Sequence, residues 1–252
     1  LKKLLLNFLK NKEYAVNNKR VLMITGTTDL GKGLLPGWPL AEDNYMEEVF
    51  NLTLPSKQRY CKKYGYDLLS LRSFGIDKKN RYKPEDIAAL RVVRPLEMLE
   101  YYDIVMWIDA DSIITNDNIN INDFPLDDDH CFYASWDWNG QVSMSTGNFI
   151  LTNNQHTSYF ENTFHKIRHN FNSEQEGINV MYNYDLNSKN IIKILDHNFL
   201  GSVSSKEICK EAWLDRPAPT HPWTKDSFLL HLTGLSNKKR IEMLHEYYRE
   251  YL

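Results

Sequence analysis

Apolar residues in this chain fall into two kinds of run. Val21-Leu22-Met23-Ile24 opens into Thr25-Gly26-Thr27-Thr28, and Ile104-Val105-Met106-Trp107-Ile108 is longer still. Unbroken apolar runs of this length mark strands buried on both faces, as in a parallel sheet. Between them the pattern changes. Residues 55–64, halted by Gly65, read as a helix, and 66–71 as a strand. Lys83-Pro84-Glu85-Asp86 places proline and acids where a helix begins, with Ile87, Leu90, Leu96 and Leu99 as its apolar face. Pro95 is expected to kink or divide that helix. Near the end, Ile241, Leu244, Tyr248 and Tyr251 have the spacing of a helix docked on the core. Strands alternating with helices predict an α/β fold, a mostly parallel sheet with helices on both faces. With no repeat and no Gly/Ser/Pro-rich linker, residues 21–252 read as one domain, preceded by an amphipathic or stem segment over 1–20.

Composition excludes several classes. The 252 residues are 42% hydrophobic and 25% charged, which is incompatible with disorder or a coiled coil. A net charge of -3 gives no basic excess for a phosphate backbone, so nucleic acid is not an expected partner. Cys61, Cys131 and Cys209 lack metal or disulfide spacing and read as buried or free thiols. The Leu/Lys-rich opening is far shorter than the ~20 apolar residues of a membrane helix. A membrane anchor outside the given sequence is compatible with it. Asn51-Leu52-Thr53 would permit glycosylation in a secretory compartment, and both the Golgi lumen and the cytoplasm stay open.

The most informative feature is Trp107-Ile108-Asp109-Ala110-Asp111, a buried strand ending in two acids spaced i, i+2. In extended backbone such residues share a face, so Asp109 and Asp111 are expected to converge on one ligand. The carboxyl end of a central α/β strand is where such folds bind ligands. Two close anions need a counter-charge, and Mn2+ or Mg2+, also held by a diphosphate, is the natural candidate. On this reading, replacing Asp111 by Asn should relieve repulsion. Phe228-Leu229-Leu230-His231-Leu232-Thr233-Gly234 adds an imidazole able to complete a mixed N/O site, and Lys238 to Arg240 follow as charge for a diphosphate. Trp136-Asp137-Trp138 gathers two indoles and a carboxylate in a composition suited to a sugar ring, or equally to an aromatic corner of the core. Asp127-Asp128-Asp129 reads as a solvated acidic loop.

With these residues in place, the chain resembles nucleotide-sugar glycosyltransferases of the GT-A fold, particularly family 34 (galactosyl- and xylosyltransferases), with family 8 a close second. The similarity runs from about Val21 to Arg240. It is carried by the opening strand, by Tyr60-Cys61-Lys62-Lys63-Tyr64-Gly65-Tyr66-Asp67, by the Asp-x-Asp at 109–111, by Ser145-Thr146-Gly147-Asn148, by Glu174-Gln175 and by the His-x-x-Gly at His231 and Gly234. The resemblance implies a metal held by Asp109, Asp111 and His231. It implies a donor site drawn from Thr25, Gly26, Thr27, Arg91, Asp109, Ala110, Thr146, Gly147, Gly234 and Lys238. Arg94, one helical turn after Arg91, is an alternative cation.

The activity implied is transfer of a sugar from UDP-galactose, UDP-glucose or UDP-xylose to a glycan hydroxyl, with retention of anomeric configuration. Glu174 and Gln175 are the expected catalytic groups around the anomeric carbon, and Trp136 and Trp138 the acceptor platform. Three alternatives stand beside it. An inverting enzyme would use Asp137 or Glu174 as general base. A non-catalytic sugar-nucleotide-binding module would keep the fold without turnover, and Asp-x-Asp also serves phosphohydrolases and nucleotidyltransferases.

Overall fold

Val21–Thr27 forms β1, buried along its whole length, in a computed structural model that describes residues 19–27, 45–72, 84–137, 143–171, 173–201, 223–233 and 235–251. Residues 1–18 of the expected N-terminal segment, Trp138, Cys209 and Gly234 lie outside the described residues. After β1 come helix α1 (Tyr45–Tyr64), β2 (Asp67–Arg72), α2 (Pro84–Met98), β3 (Ile104–Asp109) and β4 (Ser112–Ile114). Then follow β5 (Phe132–Trp136), β6 (Met144–Thr152), α3 (Thr157–Ile167), α4 (Glu174–Tyr184), α5 (Leu186–Ile191), β7 (Ile192–Ile194) and α6 (His197–Leu200). The chain ends with β8 (Leu229–His231) and α7 (Asn237–Tyr251).

The main sheet has strand order β2-β1-β3-β6-β5-β7. β1 pairs in parallel with β2 and β3, β6 runs antiparallel to both β3 and β5, and β7 is parallel to β5. The sheet is therefore mostly parallel, as expected, with β6 as the reversed strand. β3 is central, and its unbroken apolar run has the anticipated cause. Val105 and Trp107 pack with Leu90 of α2, Phe160 and Phe164 of α3 and Ile178 of α4. Ile104, Met106 and Ile108 point the other way, onto Tyr60 and Cys61 of α1 and onto Phe228. A third cluster of Val49, Ile113, Leu230, Leu232 and Leu244 joins α1, the small β4-β8 sheet and α7.

Several boundaries differ from the sequence expectation. α1 begins at Tyr45, well before residue 55, and carries Pro55 in its interior on the exposed side, where a carbonyl that loses its helical partner can turn to water. Its end is as expected. Gly65 takes a positive φ of 71°, and the Tyr66 amide donates to the Cys61 carbonyl at 2.9 Å, the Schellman arrangement that glycine permits. α2 runs through Pro95 to Met98 and is not divided there. The Asp127 to Asp129 stretch is more than solvated, since Asp127 Oδ2 accepts from Lys193 Nζ of β7 at 2.6 Å. Among the described residues no helix is long and apolar enough to cross a membrane.

Candidate active site

β3 ends at Asp109, and Ala110 and Asp111 form a turn before β4 begins. The two acids thus meet across a turn, which corrects the expectation of a continuous extended strand. Asp109 keeps the period-two placement of its strand, on the face of Trp107, whose Nε1 donates to Asp109 Oδ1 at 2.8 Å. Its backbone amide donates to Asn148 Oδ1 on β6 at 3.3 Å. Asp111 is placed by the small sheet, where Ser112 of β4 stands opposite His231 of β8. One ligand atom each from Asp109, Asp111 and His231 lies within 4.8 Å of the others.

These side chains fit a divalent cation chemically, with two hard carboxylates and an imidazole. The backbone has also left them room. A Cβ at Gly147 would stand 2.4 Å from His231 Cε1 and 3.1 Å from Asp109 Oδ2, so β6 can approach the cluster only with glycine there.

Cations surround the acids. Arg240 of α7 reaches Asp111 Oδ2 at 3.0 Å with both side chains largely buried, and its Nε donates to the Leu232 carbonyl at 3.0 Å. Arg91 of α2 lies 3.4 Å from Asp109 Oδ2 and 3.2 Å from Glu174 Oε1. Burial raises the pKa of both Asp109 and Glu174, against the pull of Arg91. Asp111 is equally buried, yet Arg240 and His231 hold its carboxyl below the usual carboxylate range. Burial works against the charge of Arg91, and Asp109 and Glu174 outweigh it, raising its pKa.

Glu174 and Gln175 open α4 because Ser173 caps it, its hydroxyl accepting from the Glu176 amide at 3.2 Å. From this start a polar chain extends away from the metal ligands. Thr146 Oγ1 donates to Glu174 Oε1 at 3.1 Å, and the Thr146 amide donates to Gln175 Oε1 at 3.3 Å. Gln175 Nε2 donates to Asp137 Oδ2 at 3.0 Å. Arg91 is the link between Asp109 and this chain.

No protein-family model and no curated protein sequence matches the chain. Solved structures do match. A glycosyltransferase involved in the glycosylation of the major capsid of PBCV-1 superposes with TM-score 0.59 at 14% identity, over 90% of this chain and 99% of that one. The bifunctional glycosyltransferase WbbM gives 0.51 at 14% identity, over 94% of this chain and 52% of its own. The apo form of the glycosyltransferase GlyE from Streptococcus pneumoniae TIGR4 gives 0.50 at 14%, over 92% and 60%. The fold is that of the GT-A glycosyltransferases.

Within this GT-A framework the remaining residues sort by position. Thr25, Gly26 and Thr27 end β1 next to β3, with Gly26 in register with Asp109. Ala110 is buried in the turn between the two acids. Arg94 pairs with Glu97 at 2.8 Å, leaving Arg91 as the α2 cation at the acids. Lys238 is exposed on α7, and the basic side chain of that group on Asp111 belongs to Arg240. Trp136 is half-buried, packed against the core and edge-on to Tyr182 at 5.8 Å. In Asn51-Leu52-Thr53 the Thr53 side chain is fully buried in α1.

Sequence reading passed over Lys57 and took Thr53 only as the end of a sequon. Lys57 is fully buried, its Nζ donating to the Asp109 carbonyl at 3.0 Å. Burial pulls its pKa down to about 7, against the opposing pull of Asp111 and Asp109. A signal was present: Val49, Phe50, Thr53, Lys57, Tyr60 and Cys61 follow helical spacing on one face, and Lys57 interrupts an otherwise inward-facing stripe.

Proposed function

We propose that the chain is a metal-dependent glycosyltransferase that moves a sugar from a UDP-sugar (UDP-galactose, UDP-glucose or UDP-xylose) to a glycan hydroxyl with retention. The observation that carries the reading is the convergence of Asp109, Asp111 and His231 at the carboxyl end of the central strand, beside the Arg91–Glu174 pair. Those three residues would hold Mn2+ or Mg2+, and a cation bound there supplies positive charge against the charge growing on a departing diphosphate. Arg91 and Arg240 add fixed positive charge on either side of the acids, suited to orienting phosphate oxygens. Glu174, held by Arg91 and Thr146, keeps a carboxylate oriented beside the reacting sugar. Gln175 has its amide oxygen and nitrogen committed to Thr146 and Asp137, so it presents a fixed dipole.

Retention is what the resemblance implies. The groups that would surround the anomeric carbon are held in one network, with Glu174 Oε1 accepting from Arg91 and Thr146 and Asp137 Oδ2 accepting from Gln175. The test is incubation of the purified chain with α-linked UDP-sugars, Mn2+ and a panel of glycans, with proton NMR of the first product. An α-glycoside whose formation stops in EDTA and returns with Mn2+ is expected. A β-glycoside would overturn retention, free sugar phosphate would point to a phosphohydrolase, and undiminished transfer in chelator would remove the metal assignment.

A further inference from the structure

Asp109 and Asp111 are separated by two peptide units, one carrying the Asp109 carbonyl and the other the Ala110 carbonyl. Rotation of either unit would swing the carboxylates apart. Each is gripped by a side chain from the same face of α1. Lys57 Nζ donates to the Asp109 carbonyl at 3.0 Å, and Thr53 Oγ1 donates to the Ala110 carbonyl at 2.5 Å. The two side chains are coupled, since Lys57 Nζ also donates to Thr53 Oγ1 at 3.2 Å. One turn along, Ser56 Oγ accepts from the Ile114 amide at 3.2 Å and fastens the strand that leaves the turn. Burying a lysine is an expensive way to fill space. The contribution of Lys57 therefore lies in what it donates to.

We infer that Thr53 and Lys57 are positioning residues that lock both peptide planes between the two metal-binding carboxylates and so set their separation. The inference rests on the metal site proposed above. Small errors of angle in a ligand's support are enough to spoil a coordination site, and loss of a supporting hydrogen bond typically weakens metal binding about 10–100-fold. Thr53 is the neutral probe of this role. Thr53→Val keeps the shape and removes the hydroxyl, whereas Thr53→Ser keeps the hydroxyl and removes the methyl. Lys57→Met is the second probe. Losing its positive charge would by itself favour a cation, so a loss of function at saturating metal reports positioning.

The experiment measures Mn2+ affinity by electron paramagnetic resonance in the presence of UDP, together with kcat at saturating Mn2+ and donor, and melting temperature, for the whole chain and the three variants. Thr53→Val is expected to bind Mn2+ about tenfold more weakly, with Thr53→Ser close to the starting protein. Lys57→Met is expected to lose about tenfold or more in kcat at saturating Mn2+. Wild-type Mn2+ affinity in Thr53→Val, or an equal loss in Thr53→Ser, would overturn the inference, whether or not Lys57→Met folds. Absence of Mn2+ binding in the starting protein would instead overturn the proposed metal site, and this inference with it.

Discussion

A methyl group at position 147 would have nowhere to go, because its carbon would lie 2.4 Å from the His231 ring. Gly147→Ala is therefore expected to displace the imidazole and abolish detectable Mn2+ binding, while β6 keeps its pairing with β3 and β5. Mn2+ titration alongside circular dichroism checks this, and unaltered Mn2+ affinity would contradict it. Asp111 gives a second prediction, in which the structure reverses an argument made from the sequence. Two adjacent acids suggest repulsion that Asp111→Asn would relieve. In the folded protein Asp111 instead faces Arg240 at 3.0 Å and His231 at 3.4 Å, and removing its charge breaks a largely buried ion pair. Breaking such a pair costs about 3–5 kcal/mol, so Asp111→Asn should lower the melting temperature clearly. Asp109→Asn should lower it less, because Arg91 keeps Glu174 as a partner. Equal melting temperatures for the two variants would refute this ranking.

At the scale of elements, the strands and the end of α1 were legible because their determinants are local. An apolar run fixes a doubly buried strand wherever it sits, and Gly65 stops a helix by its own backbone freedom. The start of α1 was not legible, because Pro55 resembles a helix start until tertiary packing of Val49 and Phe50 extends the helix ahead of it. Asp127 shows how a side chain in a loop joins elements. It accepts from Lys193 of β7 and pairs with His130 just before β5. Burial opposes its charge, but Lys193 and His130 prevail and lower its pKa from 3.8 to about 2. A depressed folded-state pKa means stability that is present above pH 3.8 and is lost as the pH falls through about 2. Urea midpoints of Asp127→Asn should thus fall less steeply than those of the parent protein between pH 4 and pH 2. Parallel curves would show that the contact carries no linkage.

Across the whole molecule, the candidate site draws on α1, α2, the β3–β4 turn, β6, α4, β8 and α7. Ligands that bind only this assembled state should stabilise it, by about 2.7 kcal/mol at a hundred times the dissociation constant. UDP with Mn2+ is expected to raise the melting temperature by more than the sum of the two added separately, because the diphosphate and the acids share the cation. Additive shifts in thermal melts would count against a shared site. The sequence by itself determined the α/β alternation, the central buried strand and the Asp-x-Asp at its end, since each is written in a short window of residue types, whereas His231 came to those acids only by resemblance and is brought there by the pairing of β4 with β8. Tertiary structure alone decided which basic residues face those acids. Arg91 was separated from Arg94, Arg240 from Lys238, and Lys57 was taken out of solvent altogether. Charge acts through space with a strength set by distance and burial, and neither is written in the local pattern of the chain.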